Sequence, residues 1–220
     1  MIVVIDGPAG SGKSSTALAV AQKLKIQYLD SGALYRAVTH LFLKSEESVP
    51  LFFETLYKSH FSFYFEDEFK VFVNDLDLTQ IIRTPEISSK VSTVAAMAEV
   101  RDFVNKLMHK AIPSDIYIAD GRDLGTAVFP NAERKFFMVA NPSTRAKRRH
   151  QELLGKGIDI SYQEVYADIQ HRDKIDSTRE KDPLKQAEDA VLIDTSEYSF
   201  DEQVDIIAEQ VRETIQQNKL

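Results

Sequence analysis

The 220-residue chain predicts an α/β domain: a doubly wound, mostly parallel sheet with a small antiparallel β insert and a short helical lid. Three observations predict it. Short apolar runs alternate with helix-patterned segments, the signature of parallel strands joined by crossovers. A complete G-x-x-x-x-G-K-[ST] segment, Gly7-Pro8-Ala9-Gly10-Ser11-Gly12-Lys13-Ser14, lies between the first run and the first helix. One central stretch instead alternates with period two.

Taken in order, Ile2–Ile5 is the first strand, and Lys13–Leu24 a helix with Ala17, Val20, Ala21 and Leu24 at helical spacing. Gln27–Leu29 reads as a second strand and about Gly32–Leu43 as a second helix. Phe61 to Phe65, Lys70 to Val73 and Leu76 to Leu78 form an antiparallel meander, with turns at Asp67-Glu68 and Asn74-Asp75. Ile116–Ala119 and Lys135–Val139 are buried strands. Pro142-Ser143-Thr144 opens a helix that stops near Gly155-Lys156-Gly157. Ser161-Tyr162-Gln163-Glu164 is a capping box. Val191–Ile193 is the last strand and Phe200–Ile215 the last helix. The expected organisation is one domain over residues 1–220. An acceptor arm spans about 31–105 and carries the insert at 61–78; a lid spans about 145–180.

Composition narrows the function. A chain of this length buries about 70% of its unfolded surface without a covalent staple. There is no cysteine, which excludes disulfides and thiolate metal sites and fits a cytoplasmic location. No apolar run approaches the roughly 20 residues that span a bilayer, and the chain opens on a core strand rather than a signal peptide. The net charge of −7 argues against a nucleic-acid partner. Yet arginines gather between Arg122 and Arg179, and arginine is the better residue for bidentate phosphate binding. Small anionic ligands are the expected partners.

The glycine-rich loop turns backbone N–H groups towards an anion, helped by the positive end of the following helix. Lys13 would reach the β- and γ-phosphates of a nucleotide, and the Ser14 hydroxyl would sit on Mg²⁺. Asp30 and Ser31 stand where a plain helix cap would also stand. Arg36 follows one turn later, towards the same mouth of the sheet. Asp120-Gly121-Arg122-Asp123-Leu124-Gly125 follows a buried strand, at the carboxyl end where open α/β sheets bind ligands. Asp120 there would orient a Mg²⁺ water, Arg122 would grip phosphate and Asp123 would accept from a ligand amine. Arg145, Arg148 and Arg149, at i, i+3 and i+4, share a helix face, where crowded like charges cost stability unless an anion is present. Arg172, Asp176 and Arg179 follow beyond the glycine joint. A mobile arm carrying arginines over a phosphate loop suits phosphoryl transfer, a reaction of positioning, charge neutralisation and water exclusion.

Together, Asp6 to Ser15, Tyr28 to Arg36, Ile82-Arg83-Thr84, Asp120 to Thr126, Val128-Phe129-Pro130, and Arg172-Asp173 with Asp176-Ser177-Thr178-Arg179 resemble the bacterial cytidylate kinases over nearly the whole chain. The resemblance implies a P-loop NTPase of adenylate-kinase-like fold, moving the γ-phosphate of MgATP to CMP or dCMP. It implies ATP phosphates on Gly7, Pro8, Ala9, Gly10, Ser11, Gly12, Lys13, Ser14 and Ser15. Ser31, Arg36, Arg122 and Arg179 would lie at or near the monophosphate, with Tyr35 among the CMP contacts. Ser92, Arg101 and Asp123 would meet the cytosine; Arg172 and Asp176 would hold the ribose; Arg145 and Arg149 would serve the ATP side. Lys13, Arg122, Arg145, Arg149, Arg172 and Arg179 form the expected catalytic set, in a monomer with no membrane or nucleic-acid partner. Some members carry a charged lid residue where this chain has Ile175.

Other readings remain at this stage: a kinase for AMP, UMP or shikimate, a GTP-dependent switch, or a P-loop protein bound to nucleic acid. A switch calls for Asn-Lys-x-Asp and Asp-x-x-Gly segments, and the chain contains neither.

Overall fold

A computed structural model describes residues 1–65, 69–112 and 115–218. The order of elements is β1 (Ile2–Asp6), α1 (Lys13–Leu24), β2 (Gln27–Asp30), α2 (Ser31–Lys44), α3 (Val49–Lys58), β3 (Phe61–Phe65), β4 (Phe69–Val73), β5 (Leu76–Asp77), a 3₁₀ turn (Ile81–Arg83), α4 (Pro85–Ala95), α5 (Ala98–Ala111), β6 (Tyr117–Gly121), a π-helical turn (Leu124–Val128), β7 (Arg134–Val139), α6 (Pro142–Gly155), α7 (Tyr162–Thr178), β8 (Val191–Asp194) and α8 (Phe200–Gln217).

Five strands form a parallel sheet in the order β2-β6-β1-β7-β8. The period-two pleat of β1 divides the interior. Val4 faces a core shared with α2, α4 and α5, while Val3 and Ile5 face one shared with α1 and α8. Helices therefore cover both faces, which makes the sheet doubly wound. Register aligns Asp30 with Asp120, and Asp6 with Gly121, so carboxylates crowd the carboxyl end of the sheet.

The insert is the antiparallel sheet β3-β4-β5. Asn74 and Asp75 turn the second hairpin with φ of 49° and 64°, as a two-residue hairpin turn requires. The expected Asp67-Glu68 turn lies outside the described residues. Phe61, Phe69, Val71 and Val73 join the core of α2 and β2, and the Phe65 ring meets Tyr117 of β6 at 5.4 Å. The insert is thus anchored on the edge of the main sheet. Helices α6 and α7 enclose a small core of their own from Ala146, Leu153, Val165 and Ile169. Ser161 and Glu164 make the expected capping box.

Three helices add to the expected elements. Thr84 caps α4, donated to by Ile87 N–H, with Pro85 opening the helix. Val100, Val104 and Met108 of α5 are buried at four-residue spacing, and α3 buries Phe52 and Leu56. Among the described residues, no helix is long and apolar enough to cross a membrane.

Candidate active site

The phosphate loop connects β1 to α1. Gly7 takes φ 154°, and a Cβ there would lie 2.1 Å from the Met138 carbonyl oxygen. Only glycine lets the loop leave β1 so close to β7. Gly12, at φ 93°, precedes the first turn of α1, leaving backbone N–H groups free to face an anion. Lys13 is buried, its ammonium donating to the Pro8 carbonyl at 3.1 Å. Burial, and next the Arg122 charge, push its pKa down to about 7, against the pull of Asp120 and Asp176.

Ser14 Oγ donates to Asp120 Oδ2 at 2.6 Å, and Tyr28 Oη to Asp120 Oδ1 at 2.6 Å. Ser31 Oγ donates to the Asp120 carbonyl at 2.5 Å, tying the start of α2 to the end of β6. Burial, and then Asp30, raise the Asp120 carboxyl. Asp30 serves both purposes open to it. It caps α2 by accepting from Ala33 N–H at 2.8 Å, and it pairs with Arg83 at 2.7 Å.

A cleft of about 1160 Å³ runs from the loop between α2, α4, β6 and α7. Arginines crowd it. Burial and the neighbouring Arg172, Arg83 and Arg122 charges push Arg36 down to about 10, although Asp30 opposes them. Burial and Arg122 likewise lower Arg172, whose Nε is buried without a hydrogen-bond partner among the described residues. Arg122 donates to Asp176 at 2.9 Å. Neighbouring cations thus lower Arg36 and Arg172, the condition under which a nearby negative charge stabilises a guanidinium most.

At the end of the cleft away from the phosphate loop, Asp123 is 3% exposed and accepts from two arginines, Arg179 at 2.9 Å and Arg101. Arg101 is fully buried. It also donates to Asp182 at 3.0 Å and to the Ala95 carbonyl at 3.3 Å, and lies 5.5 Å from the Tyr35 ring centre. Burial works against its charge, but Tyr35, Asp123 and Asp182 hold its pKa above the ordinary value. Ser92 of α4 lines the same end, and the Tyr35 hydroxyl is buried without a hydrogen-bond partner among the described residues.

Of the residues expected from the sequence, Ala9, Gly10, Gly12, Lys13, Ser14, Ser15, Ser31, Tyr35, Arg36, Ser92, Arg101, Asp120, Arg122, Asp123, Arg149, Arg172, Asp176 and Arg179 share this cleft. Gly7, Pro8 and Ser11 belong to the loop but do not line the cleft; the Pro8 carbonyl accepts from Lys13 and the Ser11 carbonyl from Thr195. Arg145 does not line the cleft. Its guanidinium is turned inward, donating to the Ala140 and Ala9 carbonyls at 2.9 Å each and to Asp173 at 2.7 Å. The first turn of α6 packs against the loop crest, so Arg145 braces Ala9 from below. The crowding expected of Arg145, Arg148 and Arg149 is also resolved without an anion. Arg148 donates to the Thr195 carbonyl at 2.6 Å and Arg149 pairs with Glu152 at 2.8 Å.

Asp6, Arg83, Asp173 and Asp182 also hold the site together. Asp6, Arg83 and Asp173 stand in the segments that carry the family resemblance, but no local spacing points to their partners. Asp182 sits in an irregular segment after α7, where no periodicity points to it.

The sequence matches the family described as cytidylate kinase over residues 3–213. The chain belongs to the cytidylate kinase family. Similar relatives are the cytidylate kinases of Carboxydothermus hydrogenoformans (46% identity; 93% of this chain and 94% of the relative), Clostridium tetani (42%; 100% and 97%) and Bacillus subtilis (43%; 96% of each). Among solved structures, the fold is similar to an uncharacterized protein from Eubacterium ventriosum (12% identity; 97% and 98% of the two chains; TM-score 0.55). It is also similar to shikimate kinase from Bacteroides thetaiotaomicron (13%; 96% and 98%; TM-score 0.50). At such identities the structural likeness shows a P-loop kinase fold and no more. Membership of the cytidylate kinase family and the loss of both switch signatures set aside the GTP-switch reading.

Proposed function

We propose that this cytidylate kinase family member transfers the γ-phosphoryl group of MgATP to CMP or dCMP, giving ADP and CDP or dCDP, with the residue roles that follow. The observation that carries the reading is the continuity of one cleft. A phosphate loop at one end faces, across Arg36, Arg122 and Arg172, a buried carboxylate–guanidinium pair at the other.

The donor phosphates lie along Gly10 to Ser15, with Lys13 on the β- and γ-oxygens. Ser14 and Asp120 present two oxygens side by side, which fits Mg²⁺, a hard cation that takes oxygen ligands and keeps several waters. When bound, the ion neutralises charge on the β- and γ-phosphates. Arg36, Arg122 and Arg179 hold the acceptor phosphate; Arg172 and Asp176 hold the ribose. An acceptor phosphate oxygen is already ionised, so attack requires no general base. The arginines stabilise charge spread over the transferring group. Arg149 approaches from the lid, residues 145–180, as it closes with the acceptor arm, residues 31–105, and excludes water.

Cytosine carries an exocyclic amine donor and an unprotonated ring nitrogen. Asp123 accepts from the amine; Arg101 and Ser92 donate to the ring nitrogen and carbonyl. Uracil would set its carbonyl against the Asp123 carboxylate. A monomeric, cytoplasmic enzyme meeting free nucleotides suits a chain without cysteine and with net charge −7.

The test is a coupled ADP-release assay across CMP, dCMP, UMP, AMP and shikimate. Turnover should be highest with CMP or dCMP. Preference for AMP or shikimate would overturn the reading.

A further inference from the structure

Asp6 is buried at the end of β1, and its backbone leads directly into Gly7 of the phosphate loop. Its side chain points the other way. Oδ1 accepts from Leu124 N–H at 2.9 Å and Oδ2 from Gly125 N–H at 2.7 Å. These two consecutive amides open the π-helical turn Leu124–Val128, in which Ala127 N–H donates back to the Asp123 carbonyl at 2.9 Å. The carboxylate thus caps, from a different strand, a turn that has no side-chain cap of its own. The residue just before the capped amides is Asp123. Nothing in the proposed chemistry uses Asp6, which does not line the cleft.

We propose that Asp6 is a positioning residue for acceptor choice: anchored on the strand that carries the phosphate loop, its carboxylate fixes the turn after Asp123 and so aims the Asp123 carboxylate at the acceptor base. The inference rests on the reading that Asp123 recognises a cytosine amine. Its physical basis is the pair of bonds. Once ionised, above about pH 7, the carboxylate accepts from both amides at once, which fixes the turn in translation and rotation. An asparagine side chain accepts from only one and sets its own N–H₂ against the other. The turn must then shift, and Asp123 with it. Donor binding changes little, because the Asp6 backbone and the loop glycines stay in place.

The test compares wild type, Asp6→Asn and Asp123→Ala at pH 8, where Asp6 is ionised, for kcat/KM with CMP and with UMP, together with KM for ATP. Asp6→Asn should narrow the CMP-to-UMP preference about tenfold, as loss of a positioned polar contact does, with the ATP KM within about twofold of wild type. A purely structural role would lower both acceptors alike and leave the ratio where it was. If Asp123→Ala narrows the ratio and Asp6→Asn does not, the inference fails and the base-reading role of Asp123 stands. If neither moves it, that role fails and takes the inference with it. Should Asp6→Asn not fold, Gly125→Ala carries the same test. Its methyl would lie 3.1 Å from Lys135 Cδ and 3.4 Å from Asp6 Oδ2, pressing on the capping carboxylate at the amide it holds. Faster hydrogen exchange at the Leu124 and Gly125 amides with an unchanged ratio there overturns the proposal equally.

Discussion

Replacing Asp123 by alanine separates recognition from stability at a single residue. The carboxylate is almost fully enclosed, and Arg179 and Arg101 donate to its two oxygens. Alanine leaves both guanidinium groups one partner short inside the protein. Breaking a buried ion pair costs about 3–5 kcal/mol. Here the lower figure applies, because Arg101 keeps Asp182 and the Ala95 carbonyl, and Arg179 keeps the Asp182 carbonyl at 2.6 Å and 2.8 Å. At about 2–4 °C per kcal/mol for a chain of this size, Tm should fall by about 6–12 °C. The same deletion removes the acceptor for the cytosine amine. A group left unpaired costs about 1–3 kcal/mol, so kcat/KM for CMP should fall at least about tenfold. UMP gains relief from repulsion and should fall less. Thermal unfolding gives the first quantity; coupled ADP release with both acceptors, run well below the lowered Tm, gives the second. A folded variant whose CMP-to-UMP ratio equals that of wild type would refute the base-reading role.

Lys13→Met should nearly abolish turnover without lowering Tm, since burial already disfavours the ammonium; near-normal kcat in the folded variant would remove Lys13 from the phosphate site. Arg149→Met should cost about 10²–10³ in kcat, as loss of a transition-state donor does, while Tm holds because its pair with Glu152 is partly exposed. A pure KM effect would restrict Arg149 to ground-state binding. Asp6 adds a pH signature. Burial raises its carboxyl from 3.8 to about 7, outweighing the Gly125 and Leu124 amide bonds. Between those values the folded state holds a proton that the unfolded state has lost. Stability from this group is therefore full at low pH and declines as pH rises towards 7, by up to about 1.4 kcal/mol per unit. Urea unfolding of wild type against Asp6→Asn from pH 5 to 8 should show this extra slope in wild type alone; parallel curves would mean an unperturbed carboxyl.

Local chemistry wrote much of this protein into its sequence. The phosphate loop is legible because its residues act through backbone shape and one adjacent helix, all within eight positions. The strands of the parallel sheet are legible because burial on both faces makes them apolar runs. The Asn74-Asp75 turn and the Ser161–Glu164 box are contacts between near neighbours, so sequence spacing specifies them. The four-residue spacing in α5 and the Thr84-Pro85 start of α4 were equally present, but serine, threonine and β-branched residues in α4 blur its helical pattern. Tertiary structure alone decided the partners of the long side chains. Arg145 and Arg149 share a helix and look equivalent in sequence. Packing of α6 on the loop crest turns one inward onto Ala9 and Asp173 and leaves the other at the cleft. Asp6 meets amides 118 and 119 residues away because parallel register sets β1 beside β6. A charged side chain long enough to reach several elements chooses among them by desolvation and geometry, and neither exists until the chain has folded.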